Sequence, residues 1–292
     1  ALFMHAIRGL CLAGALSLQQ AADDYRVRLA LLGGLLHDIG EIYIHPQYLV
    51  SSERPDTPTF RQIAIHPRVG RLLLEELTDY PPELGVAIDE HHERLDGSGY
   101  PARKTAAHLS ELGRLLAVVE AVLGTATEDA EAPLPRALLA LRFVSGEFDP
   151  HWTSAVTAAA ATASALDGRP ASQASAPPAE LVARLAAIEE RLAAAHAEAI
   201  ARSRDPPTSP SAIVAQDVLQ RLTRLRAAWA QTGLTTSGTG PRALAAESSS
   251  ELLAREMCYR LVALQKEIAL RCATLSDEEA ARLQPLRDAL EI

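Results

Sequence analysis

The run Asp23-Asp24-Tyr25-Arg26-Val27-Arg28-Leu29-Ala30-Leu31-Leu32-Gly33-Gly34-Leu35-Leu36-His37-Asp38 decides the fold. Asp23 and Asp24 offer oxygens to the unpaired N–H groups of a first helical turn, and Leu29, Leu32 and Leu36 then recur on one helix face. The helix ends on His37 and Asp38, side chains able to carry metal or proton chemistry. Outward from this run, apolar residues recur at three and four through residues 1–160 and almost nowhere alternate at two. The sequence therefore predicts an all-α domain over 1–160.

Other helix ends carry further residues of the same kind. Pro67 suits a first helical turn because its missing N–H is one that the turn leaves unpaired anyway, which puts His66 at a helix mouth. Pro81 and Pro82 precede a helix through Val86 and Ile88 that delivers His91 and His92 into a loop beginning at Asp96. A helix from about His108 to Leu123 carries Glu120.

Beyond Trp152 the composition shifts to Ala and Ser, and residues 161–179 read as an Ala/Ser/Pro linker, most flexible over Asp167 to Pro178. In residues 180–292 three heptad-like stripes follow: Leu181, Leu185, Ile188 and Leu192; Val218, Leu222, Leu225 and Trp229; Met257, Leu261, Leu264 and Ile268. Ser276 with Glu279 forms a capping box before a last stripe of Leu283, Leu286 and Leu290, and a Gly- and Ser-rich loop over 233–240 separates the pieces. This half reads as a helical bundle or a coiled-coil region for homodimerisation, without a catalytic constellation.

Net charge excludes one class of function. At −9, the chain lacks the clustered Lys and Arg with which a long groove displaces counterions from a nucleic-acid polymer. Cys11, Cys258 and Cys272 match no zinc or redox spacing and read as reduced, mostly buried thiols, which suits the cytoplasm. His5 and Arg8 interrupt the apolar segment that includes Leu10 to Leu18, which is read as a helix of a soluble protein. No run of eighteen apolar residues predicts a membrane span within this chain.

The chemistry gathers in the first half. His37, Asp38, His66, His91, His92 and Glu120 are imidazoles and carboxylates of the type that binds Fe, Mn, Ni, Co or Zn. An adjacent His-Asp pair serves two metals when the carboxylate bridges them, and two such ions neutralise a phosphodiester and activate a water without a protein nucleophile. His45, His108, His151 and His196 are read as ordinary surface or core histidines.

Two strings are too ordered for chance. Leu36-His37-Asp38-Ile39-Gly40 and His91-His92-Glu93-Arg94-Leu95-Asp96-Gly97-Ser98-Gly99-Tyr100-Pro101 resemble the signature motifs of the HD-GYP family. The likeness extends through His5 and Arg8, His66-Pro67 with Gly70, and Gly146, Phe148, Asp149 and Pro150. It implies an all-α bundle holding two or three metal ions, often iron, that hydrolyses cyclic di-GMP to a linear dinucleotide or GMP. By position it implies a metal shell of His37, Asp38, His66, His91, His92 and Glu120, with Asp38 bridging and His5 as a further ligand. The loop of Arg94, Asp96, Gly97, Gly99, Tyr100 and Pro101 is then a substrate or partner contact.

The chain departs from that pattern on the substrate side. Glu41 stands where the family carries a Lys, Leu123 where a second Lys usually follows, and Glu120 where Asp is usual. The substrate-binding segment after the last ligand is replaced by Gly124-Thr125-Ala126-Thr127-Glu128-Asp129. Ala1 occupies the position of a Glu used by trimetallic members, so two ions are expected. Glu41 either orients and deprotonates the attacking water, as in HD hydrolases with His-Asp-x-x-Glu, or is a solvated side chain.

Three functions follow. The leading one is a metal-dependent phosphodiesterase for cyclic di-GMP or a related cyclic dinucleotide, using two transition-metal ions, iron or manganese first, then nickel, cobalt or zinc. The second is a degenerate signalling scaffold that binds a GGDEF-type cyclase without turnover. The third is a phosphohydrolase of another nucleotide, with Arg94 meeting the phosphate.

Overall fold

The computed structural model describes residues 2–49, 57–125, 133–167, 179–204, 206, 208–232 and 247–291. They belong to two compact units, Ala1–Arg169 and Pro170–Ile292. Among the described residues the chain is all-α, with one isolated bridge between Asp96 and Thr105.

The first unit runs α1 (Leu2–Gln19), α2 (Asp24–Leu36), α3 (Pro46–Leu49), α4 (Thr57–Ile63), α5 (His66–Leu77), α6 (Pro82–Glu90), α7 (Glu111–Thr125), α8 (Pro133–Arg142) and α9 (Pro150–Asp167). Short 3-10 helices at Ile39–Tyr43 and Ala106–His108 lie between them. Asp23 caps α2 as its sequence predicts, accepting from the Arg26 N–H. α7 begins at Glu111 rather than near His108, because the Ser110 hydroxyl takes the Gly113 N–H and opens the helix there. α9 extends to Asp167, into the Ala-rich start of the expected linker, since Ala is the best helix former. Residues 168–178 of that linker, Ala1, the 126–129 stretch and the 233–240 loop lie outside the described residues.

The core forms around α7, whose Leu115, Leu116, Val118 and Val119 meet Leu16 of α1, Leu84 and Ile88 of α6, and Trp152 of α9. The buried face of α2 is Leu29, Ala30, Gly33 and Gly34, with Leu32 and Leu36 packed at its edge. The glycines matter because α1 and α2 cross there. A Cβ on Gly9 would stand 2.3 Å from the Gly34 carbonyl oxygen, and one on Gly34 would meet the Gly9 oxygen at the same distance. This contact sets His5 of α1 beside His37 at the end of α2. Gly9→Ala is expected to force the helices apart at a cost of about 2 kcal/mol, or roughly 5 °C in the melting temperature of this unit. Calorimetry of the variant checks it.

The second unit comprises α10 (Ala179–Ser203), α11 (Pro210–Gln231), α12 (Glu247–Cys272), α13 (Asp277–Arg282) and α14 (Gln284–Ala289). All the stripe residues named above, from Leu181 to Leu290, are buried within a single chain. The apolar seam that the sequence offered to a second copy is thus spent inside the unit. An Arg221–Glu267 ion pair joins α11 to α12. Ser276 caps α13 as predicted, accepting from the Glu279 N–H, but the reciprocal half of the box is absent. The Glu279 carboxylate accepts instead from the Ser211 N–H at the start of α11, 2.8 Å away, where the helix dipole favours a negative charge. The expectation of mostly buried thiols is also corrected. Cys272 is buried, Cys258 intermediate and Cys11 exposed, because Cys11 falls on the outer face of α1.

Candidate metal centre

Three helix ends and two helix faces of the first unit converge on one carboxylate, that of Asp38. His37 caps α2, Asp38 follows it, His66 opens α5, His91 caps α6 with His92 next, and Glu120 and His5 reach in from α7 and α1. Their potential ligand atoms form two groups, Asp38-His66-His91-His92 and His5-His37-Asp38-Glu120, each with all atoms within 4.8 Å of one another. Asp38 belongs to both. Its Oδ1 lies 3.3 Å from His66 Nε2 and 3.5 Å from His91 Nε2, while its Oδ2 lies 3.3 Å from His37 Nε2 and 3.4 Å from His5 Nε2. One oxygen thus faces each group.

The imidazoles are aimed by their backbones. His37, His66 and His91 each use Nδ1 against the carbonyl three residues earlier, to Gly34 at 2.9 Å, Ile63 at 2.8 Å and Ile88 at 2.6 Å. A carbonyl can only accept, so each Nδ1 carries the proton and Nε2 turns inward as the donor atom for a cation. For His37 and His91 that carbonyl belongs to the last turn of the helix the histidine caps, and for His66 it belongs to Ile63, the last residue of α4. Gly40 is part of the same construction: a Cβ there would stand 2.1 Å from the His66 carbonyl oxygen, so its absence lets the Asp38 turn lie against α5.

Electrostatics shows which charge the cluster favours. Burial alone would lower His37, but its hydrogen bonds to the Asp38 and Glu120 carboxylates outweigh it and raise it to about 10. His66 is raised in the same way by Asp38, and His5 chiefly by Glu120. Burial holds His91 and His92 below the ordinary imidazole value. Burial would raise Asp38 and Glu120, yet the surrounding histidines hold both carboxyls low. Two carboxylates therefore demand positive charge at the inward Nε2 atoms. His66 and His91, whose Nε2 atoms are 3.1 Å apart, need a cation or shared proton between them. The donor set, N and O in two four-residue groups, fits divalent transition ions.

Glu41 lies in the 3-10 turn directly after Asp38 rather than on a continuation of α2, and it still faces the cluster. Its Oε2 is buried and has no hydrogen-bond partner, while the residue as a whole is half-buried. Burial first, then the charge of Asp38, push its carboxyl from 4.5 up to about 7. The folded chain thus binds more protons than the unfolded one between those values. Stability from this group is complete below about pH 4.5 and is lost as pH rises to about 7. In chelator-treated protein, Glu41→Gln is expected to abolish that loss, worth at most about 3 kcal/mol, in urea melts run from pH 5 to 8.

The loop after His92 turns inward. The Tyr100 ring stacks on His92, with centroids 4.5 Å apart and planes 19° off parallel, and Phe60 meets Tyr100 edge-on. A Cβ on Gly99 would come within 2.4 Å of the His92 oxygen and Glu93 Cα, so only glycine fits that approach. Gly97 takes a positive φ of 76°, and Asp96 closes the turn by accepting from the Ser98 N–H. Pro101 follows Tyr100 through a cis peptide bond. Arg94, expected at a phosphate, instead lies over the Phe148 ring at 4.6 Å and points towards Glu147, because the loop is tied to that turn by Leu95 N–H to Glu147 O. Leu123 is buried in the core face of α7.

Sequence reasoning missed the acids that hold this loop. Glu93 is fully buried and accepts from the Ala102 and Lys104 N–H groups, at 2.7 and 3.0 Å. Glu90 accepts from Ser110 and from Lys104 Nζ, while Asp89 pairs with Arg68, Arg71 and Lys104. The available signal was Asp89 and Glu90 at the end of α6 and Glu93 in the turn after it, where burial demands partners.

The pattern of the HD domain family matches residues 5–151, half of the chain. Over 152 residues the chain is 29% identical to a cyclic di-GMP phosphodiesterase of Pseudomonas aeruginosa, covering 51% of this chain and 37% of that protein. It is 30% identical over 109 residues to the cyclic di-GMP phosphodiesterase response regulator RpfG of Xanthomonas campestris pv. campestris, covering 37% of this chain and 29% of that protein. A 3′3′-cGAMP-specific phosphodiesterase of Vibrio cholerae is 27% identical over 107 residues, 36% of this chain and 23% of its own length. The chain thus spans well under half the length of these relatives. With its matched segment enclosing His5, His37-Asp38, His66, His91-His92 and Glu120, and with Gly99-Tyr100-Pro101 packed on the second of the paired histidines, the chain belongs to the HD domain family, in its HD-GYP branch.

Proposed function

We propose that the first unit is a metal-dependent phosphodiesterase that opens cyclic di-GMP or a related cyclic dinucleotide, with iron or manganese as the resident ions. The observation that carries this reading is Asp38, whose two oxygens each face a separate four-residue donor group. Two bound ions would neutralise the phosphodiester and lower the pKa of a water towards neutrality. His66, His91 and His92 would hold one ion and His5, His37 and Glu120 the other, with Asp38 common to both.

The chain's own groups do the rest. Carbonyl-anchored imidazoles fix the donor atoms before substrate arrives, so little reorganisation is needed during reaction. Glu41, buried beside Asp38 without a partner for Oε2, orients the attacking water and takes its proton. The water oxygen adds to phosphorus, the P–O bond to the sugar breaks, and the proton passes to the leaving alkoxide. Cyclic dinucleotides are the substrate class because the similar proteins above are named for them. A cytoplasmic location is part of this proposal. Among the described residues no helix is long and apolar enough to cross a membrane. A scaffold for a GGDEF-type partner would have no use for three imidazoles locked in one tautomer.

The test is release of linear dinucleotide or GMP from cyclic di-GMP by protein purified without oxygen. The reading expects turnover that is lost in His37→Ala and on chelation. Turnover unaffected by either would overturn it.

A further inference from the structure

His92 is held differently from the histidines around it. His37, His66 and His91 are each fixed by a backbone carbonyl, whereas among the described residues no hydrogen bond fixes the His92 ring. Rings hold it instead. Tyr100 stacks on it at 4.5 Å between centroids, and the His91 and His66 rings approach it at 4.2 and 5.0 Å. We propose that Phe60 of α4 is a positioning residue for His92, acting through Tyr100, so that α4 governs the donor group of Asp38, His66, His91 and His92 and not the other group, a role that rests on the metal-dependent reading above.

A ligand imidazole binds well only when its donor atom is aimed, and a hydrogen bond on its other ring nitrogen usually does the aiming. A stacked ring does so by another route, because turning His92 about its Cβ–Cγ bond breaks the 19° alignment with Tyr100. Tyr100 donates its own N–H to the His92 carbonyl at 3.2 Å, which ties the two backbones but does not set the direction of the Tyr100 ring. Phe60 meets that ring with centroids 5.9 Å apart and planes at 76°, the edge-to-face arrangement that the ring quadrupoles favour.

α4 reaches the same donor group a second time. Ile63, one turn beyond Phe60, has the carbonyl that accepts from His66 Nδ1 at 2.8 Å. Two of the three histidines in this group thus lean on one seven-residue helix. The other group is anchored elsewhere, with His37 Nδ1 on the Gly34 carbonyl of α2 and with His5 and Glu120 coming from α1 and α7. A change at Phe60 therefore loosens one ion and leaves the other in place.

The experiment titrates Mn2+ into the chelator-treated full chain, with the free ion followed by electron paramagnetic resonance. Wild type is expected to fill about two sites, and His92→Ala marks which of them belongs to this group. Phe60→Ala, which keeps a good helix former in α4, is expected to weaken the marked site by roughly tenfold and to leave the other within about twofold. Phe60→Tyr keeps the ring and is expected to stay near wild type. Added to Tyr100→Ala, Phe60→Ala should change nothing further, since it acts through that ring. Equal weakening of both sites, as a general loosening of the fold gives, would overturn the proposal. So would an unchanged marked site, a loss in Phe60→Tyr, or a full further loss in the double variant. Should Phe60→Ala not fold, Phe60→Leu takes its place with the same pattern expected. A wild type that binds fewer than two Mn2+ ions would instead overturn the proposed function, and this inference with it.

Discussion

Asp38→Asn is expected to lower turnover about a thousandfold, roughly 4 kcal/mol of lost transition-state stabilisation, and to remove at least one of two bound ions. The side chain keeps its shape, so the fold is retained. What changes is that one of its two inward oxygens becomes an NH2 group. Oδ1 faces His66 and His91 while Oδ2 faces His5 and His37, so whichever way the amide turns, one donor group meets N–H where it had an oxygen. The loss of charge weakens the other group as well. Metal analysis and turnover on the same sample check this, and a variant holding two ions with turnover within tenfold of wild type would contradict the shared role of Asp38.

Removing the metal is expected to lower the melting temperature of the first unit by roughly 10 °C. A ligand that binds only the folded chain stabilises it by about 4 kcal/mol at a thousand times its dissociation constant. For a unit of this size each kcal/mol is worth roughly 2–4 °C. The apo cluster has no cheap substitute for the ions, since it must hold a proton on a fully enclosed His37 to satisfy Asp38 and Glu120. Scanning calorimetry with and without chelator measures the shift. Readdition of Mn2+ should restore it, and an unshifted transition would show that the cluster is a structural hydrogen-bond network.

The sequence made the helices legible because their apolar residues recur with helical period and their ends carry proline or capping residues, as at Asp23, Pro67 and Pro82. His37, Asp38, His91 and His92 were legible because they stand in two ordered motifs, and His5, His66 and Glu120 because the likeness carries over to their positions. Their mutual geometry was not, because it depends on contacts between distant segments. The meeting of Gly9 with Gly34 and of Gly40 with the His66 carbonyl leaves no periodic trace. For the same reason Arg94 was assigned to a phosphate from its place beside His92, while its partners Phe148 and Glu147 lie some fifty residues further along the chain. The second unit was the reverse case: its stripes were plain, but pattern alone does not say whether a stripe is covered by its own chain or another. Leu261, Leu264 and Ile268 are covered by their own.

The most direct measurement is the metal content of protein purified without oxygen. The account predicts about two transition-metal ions per chain, falling on substitution of Asp38. A wild-type chain that folds and holds none would contradict it.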